Sequence, residues 1–187
     1  MTVEIVFETH STTTDNEAGV ATGWLPGELS DSGRRQAREL GERRPGDGFA
    51  AVFTSDLRRA VQTARTAYPG GRLPIHQDTR LRECDYGDLN GTPHRHIAAR
   101  RLQHIDVPFP GGQSYRQVVT ATHAFLHDLA TGWDGDRILV IAHSANQWAL
   151  EHLLTGTPLE ALLQAPPAWR PGRRYELPGD WPSAAAG

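Results

Sequence analysis

In RILVIAHSANQWALEHLL, residues 137–154, five apolar residues run into a histidine and a serine and then directly into a helical pattern. An unbroken apolar run fits a strand buried on both faces, and a helix following at once fits the crossover of a parallel sheet. The same order recurs upstream. VEIVF (3–7) leads to Thr9-His10-Ser11, and AAVFTS (50–55) leads to a helix over Asp56–Tyr68. Strands alternating with helices indicate an α/β fold, a three-layer sandwich around a mostly parallel central sheet. PIHQDT (74–79) and RRYEL (173–177) read as weaker strands at the sheet edges.

Three further helices complete the pattern. Ser30 can cap one that carries Ala37 and Leu40 on its inner face. Val118, Thr122, Phe125, Leu126 and Leu129 fall at helical spacing and predict a long amphipathic helix over 114–130. A third covers Ala145–Leu154. RRPGDGF, YPGGRLP and PFPGGQS are turns, and LPGDWPSAAAG ends the chain as a loose tail. The expected organisation is one domain over 1–178, a lid around 90–116 and a tail over 179–187.

The bulk numbers narrow the function classes. A chain of 187 residues with 38% hydrophobic and 22% charged residues suits a single folded domain. A net charge of −3 disfavours nucleic-acid binding through global charge. All 19 basic residues are arginine, which excludes Schiff-base lysine chemistry. The single cysteine, Cys84, cannot form an internal disulfide, and no run reaches membrane-spanning length. The expectation from these numbers is a cytoplasmic protein without nucleic-acid or membrane partners; a small, anionic partner molecule is expected from the arginine-bearing polar clusters instead. The oligomeric state is not encoded in these features.

Polar clusters fall at the carboxyl ends of the strong strands: Thr9-His10-Ser11, Thr54-Ser55-Asp56 and His143-Ser144. In an open parallel sheet that edge is where ligands bind. Two imidazoles there suit a nucleophile with a partner, a metal pair, or two structural caps. In TSDLRRAVQTA, Arg58 and Arg59 occupy a first helical turn, where a bound anion is favoured. LRECDYGDLNG offers Glu83, Asp85 and Asp88 as proton donors.

These blocks together resemble the histidine phosphatase superfamily, the phosphoglycerate mutase-like group. The His10 block with Asn16, GWLPGELSDSGRRQA, TSDLRRAVQTA, LRECDYGDLNG, FPGGQSYRQVV and VIAHSANQWAL match in the family's order. The resemblance implies His10 as a nucleophile that becomes phosphohistidine, and Arg59 with His143 neutralising the phosphoryl oxygens. It places the general acid on Glu83 rather than Asp85 by motif register, and it implies no metal and no other cofactor. Thr9, Ser11, Asn16, Ser144 and Glu8 would complete the substrate site. The expected activity is that of a metal-independent, histidine acid phosphatase-type hydrolase. The chain lacks the long insertions of the dimeric mutases.

The departures cluster around the anion site. Thr9-His10-Ser11 stands where the family has Arg-His-Gly, Val20 and Ala21 stand near a further arginine position, Gln113 replaces a glutamate, and Ser144 replaces a glycine. A charged hydrogen bond contributes about 1.5–3 kcal/mol, so the lost arginine corresponds to roughly one to two powers of ten in affinity or rate. Glu8 replaces an apolar residue. It shares a strand face with His10, which admits a metal-ligand pair, but a carboxylate paired with an arginine such as Arg59, or with backbone N–H groups, is preferred. HRHIAARRLQH (94–104) reads as a basic lid helix or a solvated face, and Trp133, Trp148, Trp169 and Trp181 as packing residues. Two rival functions share the scaffold: acid–base chemistry of His10 and Glu83 on a non-phosphate substrate, and a silent pseudophosphatase.

Overall fold

A computed structural model describes residues 1–45 and 48–182. Among these, β1 (Thr2–Thr9), β2 (Ala51–Thr54), β3 (Ile75–Gln77), β4 (Arg137–Ala142) and β5 (Arg173–Pro178) form one sheet in the order β3-β2-β4-β1-β5. The first four strands run parallel and β5 pairs antiparallel with β1. The two weaker strands are the edges. β5 alternates, burying Tyr175 and Leu177 and exposing Arg174, Glu176 and Pro178, as a strand covered on one face does.

The helices are α1 (Thr14–Glu17), α2 (Asp31–Arg43), α3 (Arg58–Ala67), α4 (His94–Ala98), α5 (Tyr115–Gly132), α6 (Ser144–Thr155) and α7 (Leu159–Gln164). The pleat of β4 separates two cores. Ile138, Val140 and Ala142 pack with Phe125, Leu126 and Leu129 of α5 and Leu150 of α6. Leu139 and Ile141 pack on the other side with Leu40 of α2 and Ala64 and Ala67 of α3. This is the three-layer arrangement expected. Each fully buried aliphatic side chain of β4 contributes about 1.5–3 kcal/mol.

Caps set the helix starts. Ser30 Oγ accepts from Gly33 N at 3.1 Å, and Ser114 and Gln117 cap α5 reciprocally. A third apolar cluster lies beneath the segment expected as a lid, where Ile97, Ile105 and Phe109 pack against Tyr115, Trp148 and Leu162. Helix α7 was not anticipated, because LEALLQ is too short to display a helical period. The turn RRPGDGF includes residues 46 and 47, and the tail includes 183–187, all outside the described residues. Nearer the sheet, Trp181 packs against the α5 side of the core, and its carbonyl accepts from His127 Nδ1 at 3.3 Å. No described helix is long and apolar enough to cross a membrane.

Candidate active site

Parallel pairing brings the two histidines together. Thr9 lies opposite Ala142, and His10 N donates to the Ala142 carbonyl at 2.9 Å, so the residues after β1 and β4 leave the sheet side by side. The imidazole centroids are 5.1 Å apart. The hydroxyl-rich turn after His10 is held from several sides. Ser11 N donates to Thr63 Oγ1 of α3 at 3.0 Å, Thr12 N to Gln36 Oε1 of α2 at 3.0 Å, and Thr13 caps α1 in exchange with Asn16.

His10 Nδ1–H donates to the Ser11 carbonyl at 2.8 Å, which leaves the lone pair on Nε2. Arg59 Nε–H donates to that lone pair at 3.3 Å. Burial and the Arg59 charge push the His10 pKa down to about 3, against the opposing effect of the Ser11 bond. The imidazole is therefore neutral at physiological pH, the form a nucleophile requires.

Arg59 is buried in the first turn of α3. Its Nη2–H donates to the Gly23 carbonyl at 2.8 Å and its Nη1–H to the Leu25 carbonyl at 3.5 Å, both neutral acceptors. Arg59 forms no ion pair with Asp56 three residues before it, because Asp56 pairs bidentately with Arg82. Arg58 pairs with Glu28 at the surface, at 2.6 Å.

Glu83 is buried, and its Oε1 accepts from Cys84 N at 2.8 Å and from Ala145 N of α6 at 3.3 Å. Burial pushes its carboxyl pKa up, against those two donors and the Arg59 charge. A carboxyl so placed can hold a proton ready for a leaving group. Asp85 instead accepts from Gly87 N and Asn90 Nδ2, closing its own turn. Burial also raises the Cys84 thiol pKa, so no thiolate nucleophile is offered.

His10, Asn16, Arg59, Glu83 and Ser144 line one cavity of about 110 Å³. His143 lies off that wall, fully buried beneath His10, with Nε2 2.7 Å from Ser55 Oγ. Burial and the charge of Arg59 hold it neutral. Glu8, Thr9 and Ser11 line a second cavity of about 460 Å³, which shares His10 and Asn16 with the first. Thr9 is engaged elsewhere, its Oγ1 accepting from Trp169 Nε1 at 3.0 Å.

Glu8 does pair with arginine, but not with Arg59. Its Oε1 lies 3.3 Å from Arg44 Nε and 3.7 Å from Arg43 Nη2. The pleat explains the choice: Glu8 shares a face with Val6, which packs toward α2, and these arginines end that helix. Among the described residues no group of three His, Cys, Asp or Glu is placed to hold a metal ion. Trp169 is a correction, since it is 62% exposed rather than packed.

Sequence reasoning missed Ser55 as the partner of His143, although its place at the end of β2 was visible. It also missed the wall formed by Arg101, His94 and Trp148. The basic character of 94–104 was legible there, but which of its arginines turns inward was not. Trp24 was missed too; its Nε1–H donates to the Glu83 carbonyl at 2.6 Å.

A family model described as the histidine phosphatase superfamily, branch 1, matches residues 5–168. The chain belongs to the histidine phosphatase superfamily. Within it, the 2,3-bisphosphoglycerate-dependent phosphoglycerate mutase of Methylobacterium sp. (strain 4-46) is 33% identical, over 84% of this chain and 83% of its own. The glucosyl-3-phosphoglycerate phosphatase of Mycolicibacterium vanbaalenii is 32% identical, over 83% of this chain and 76% of its own. The YhfR structure from Bacillus stearothermophilus superposes with a TM-score of 0.81 at 26% identity, covering 90% of this chain and 87% of that one. The superfamily relatives thus include both phosphatases and mutases.

Proposed function

We propose that this chain is a metal-independent phosphohydrolase of a small phosphorylated metabolite, working through a phosphohistidine at His10. The observation that carries the reading is the state of His10: neutral, with Nδ1–H committed to Ser11 and the Nε2 lone pair facing Arg59 in a cavity shared with Glu83.

In the first step Nε2 attacks phosphorus in line, the ester P–O bond breaks, and the leaving alkoxide takes the proton of Glu83. In the second, the Glu83 carboxylate takes a proton from water, which attacks phosphorus. The N–P bond breaks, orthophosphate leaves, and His10 is regenerated. Arg59 stabilises the charge on the equatorial oxygens in both steps. His143 acts from beneath: a dianion nearby favours its protonated form, reversing the balance that keeps it neutral in the empty site. Thr9, Ser11 and Glu8 belong to the adjoining cavity and contact the remainder of the substrate rather than the phosphoryl group.

Because Glu8 is occupied by Arg43 and Arg44, Arg59 is left to the anion, which weakens the case for a non-phosphate substrate. The short rim at 94–104 favours water as the second acceptor. A cytoplasmic setting fits the buried, unpaired Cys84. The test is phosphate release from a panel of phosphomonoesters without added metal, with acid-stable and acid-labile phosphoprotein measured after quenching. Wild type should release phosphate and accumulate an acid-labile phosphoramidate, and His10→Ala should do neither. Equal release by the folded His10→Ala protein would sink the proposal.

A further inference from the structure

A phosphomonoester carries a charge of about −1.5 to −2 at pH 7. On the cavity wall His10 is neutral in the empty site, as is His143 buried behind it, and Arg59 supplies one positive charge. The remaining cation on the wall is Arg101, in the 3₁₀ turn Arg101–His104 that follows α4.

Arg101 is held without being neutralised. Its guanidinium lies over the Trp148 ring at 5.0 Å, and its Nη2–H donates to His94 Nε2 at 3.3 Å. Both partners leave its charge intact, because an indole face is uncharged and burial beside that guanidinium lowers the pKa of His94. Among the described residues Glu83, on the same wall, feels its charge, with no hydrogen bond between them, and the Arg101 Nε is buried without a hydrogen-bond partner. A buried donor left unpaired costs free energy that a bound acceptor recovers. Arg116, in the first turn of α5, is already paired with Asp106 at 3.0 Å.

We propose that Arg101 is the second cation of the anion site, contacting the phosphoryl group from the rim opposite Arg59. It brings the positive charge of the cavity to the level a dianion requires, in a site where Thr9 contributes none. The inference rests on the phosphohydrolase reading, and orthophosphate binding separates the two.

Titrating orthophosphate into the full chain by calorimetry, with wild type, Arg101→Met, Arg101→Lys and Arg116→Ala, is the decisive experiment. Methionine keeps the aliphatic packing, and unchanged circular dichroism and melting midpoint establish that each variant is folded. Arg101→Met should bind orthophosphate about 10- to 100-fold more weakly, the loss of one charged hydrogen bond. Arg101→Lys should recover part of this, and Arg116→Ala should match wild type. Unchanged orthophosphate affinity in Arg101→Met overturns the proposal. A raised KM for one ester, with orthophosphate affinity intact, also overturns it and assigns Arg101 to the leaving group. Wild type that hydrolyses no ester and binds no orthophosphate overturns the phosphohydrolase reading first.

Discussion

The proton on Glu83 and the lone pair on His10 are set by opposite responses to one condition. Burial disfavours charge on both, so it raises the carboxyl pKa and lowers that of the imidazole, favouring the proton-carrying acid and the neutral nucleophile in the same pocket. Replacing the acid should matter according to what leaves. Glu83→Gln keeps acceptors for Cys84 N and Ala145 N but holds no transferable proton. It should lower kcat on alkyl phosphates by about 10²- to 10⁴-fold and affect p-nitrophenyl phosphate far less, because that leaving group needs little protonation. Equal loss on both substrates would remove Glu83 from the acid role. At this scale His10 was legible from its strand end and Arg59 from the first turn of the helix that follows β2, whereas Glu83 was separated from Asp85 only by the register of the resemblance. The partner of Thr9 was not legible, since Trp169 reaches it from 160 residues further along the chain.

The loop bearing Glu83 depends on the segment before α5. Gln113 N donates to the Asp85 carbonyl at 2.8 Å, and Gln113 Oε1 accepts from Asp85 N at 3.2 Å. The amide at this position thus serves the loop from both directions. Close approach is what makes the glycines here necessary. A Cβ on Gly112 would fall 2.3 Å from the Asp85 carbonyl oxygen, and one on Gly87, with φ of +55°, would fall 2.1 Å from the Pro110 carbonyl oxygen. Gly112→Ala should therefore destabilise the protein by about 1–3 kcal/mol in urea unfolding. It should also lower kcat, since the displaced loop carries the acid; wild-type values of both would contradict this account. Long helices and buried strands were readable from period and caps. The 90–116 segment was not, because its order comes from Ile97, Ile105 and Phe109 reaching a cluster assembled from distant helices.

Over the whole molecule, the same buried groups tie stability to pH. His10 titrates at about 3 in the folded chain against 6.5 for the free side chain, and His143 is shifted the same way. Between those values the unfolded chain binds more protons, so stability rises with pH and is lost as pH falls below 6.5. Glu8 and Glu83, raised above 4.5, act oppositely, favouring the folded chain as pH falls toward 4.5. Below that value their contribution is constant, and the histidines act in the same direction as Asp56 and Asp78, whose bonds to Arg82 and Arg80 lower their pKa values. The urea midpoint should fall steeply below pH 4.5, and His143→Gln should flatten that fall; an unchanged slope would exclude His143 as a cause. The architecture was the most legible level, because wholly apolar runs mark central strands and the weaker runs mark the edges, although the order among the central strands was not read. The charge balance of the pocket was the least legible, since it depends on which arginine of a basic stretch turns inward.

Trp148, 5% exposed, forms part of the cavity wall with a guanidinium resting on its face. An indole's emission responds to a charge beside its ring, so the pocket carries its own chromophore. Any occupant that draws the guanidinium away alters the light this tryptophan emits, and Trp148→Phe separates that signal from the emission of the other tryptophans. Substrates can then be screened by colour of emission, on unlabelled protein, before the product of any reaction is known.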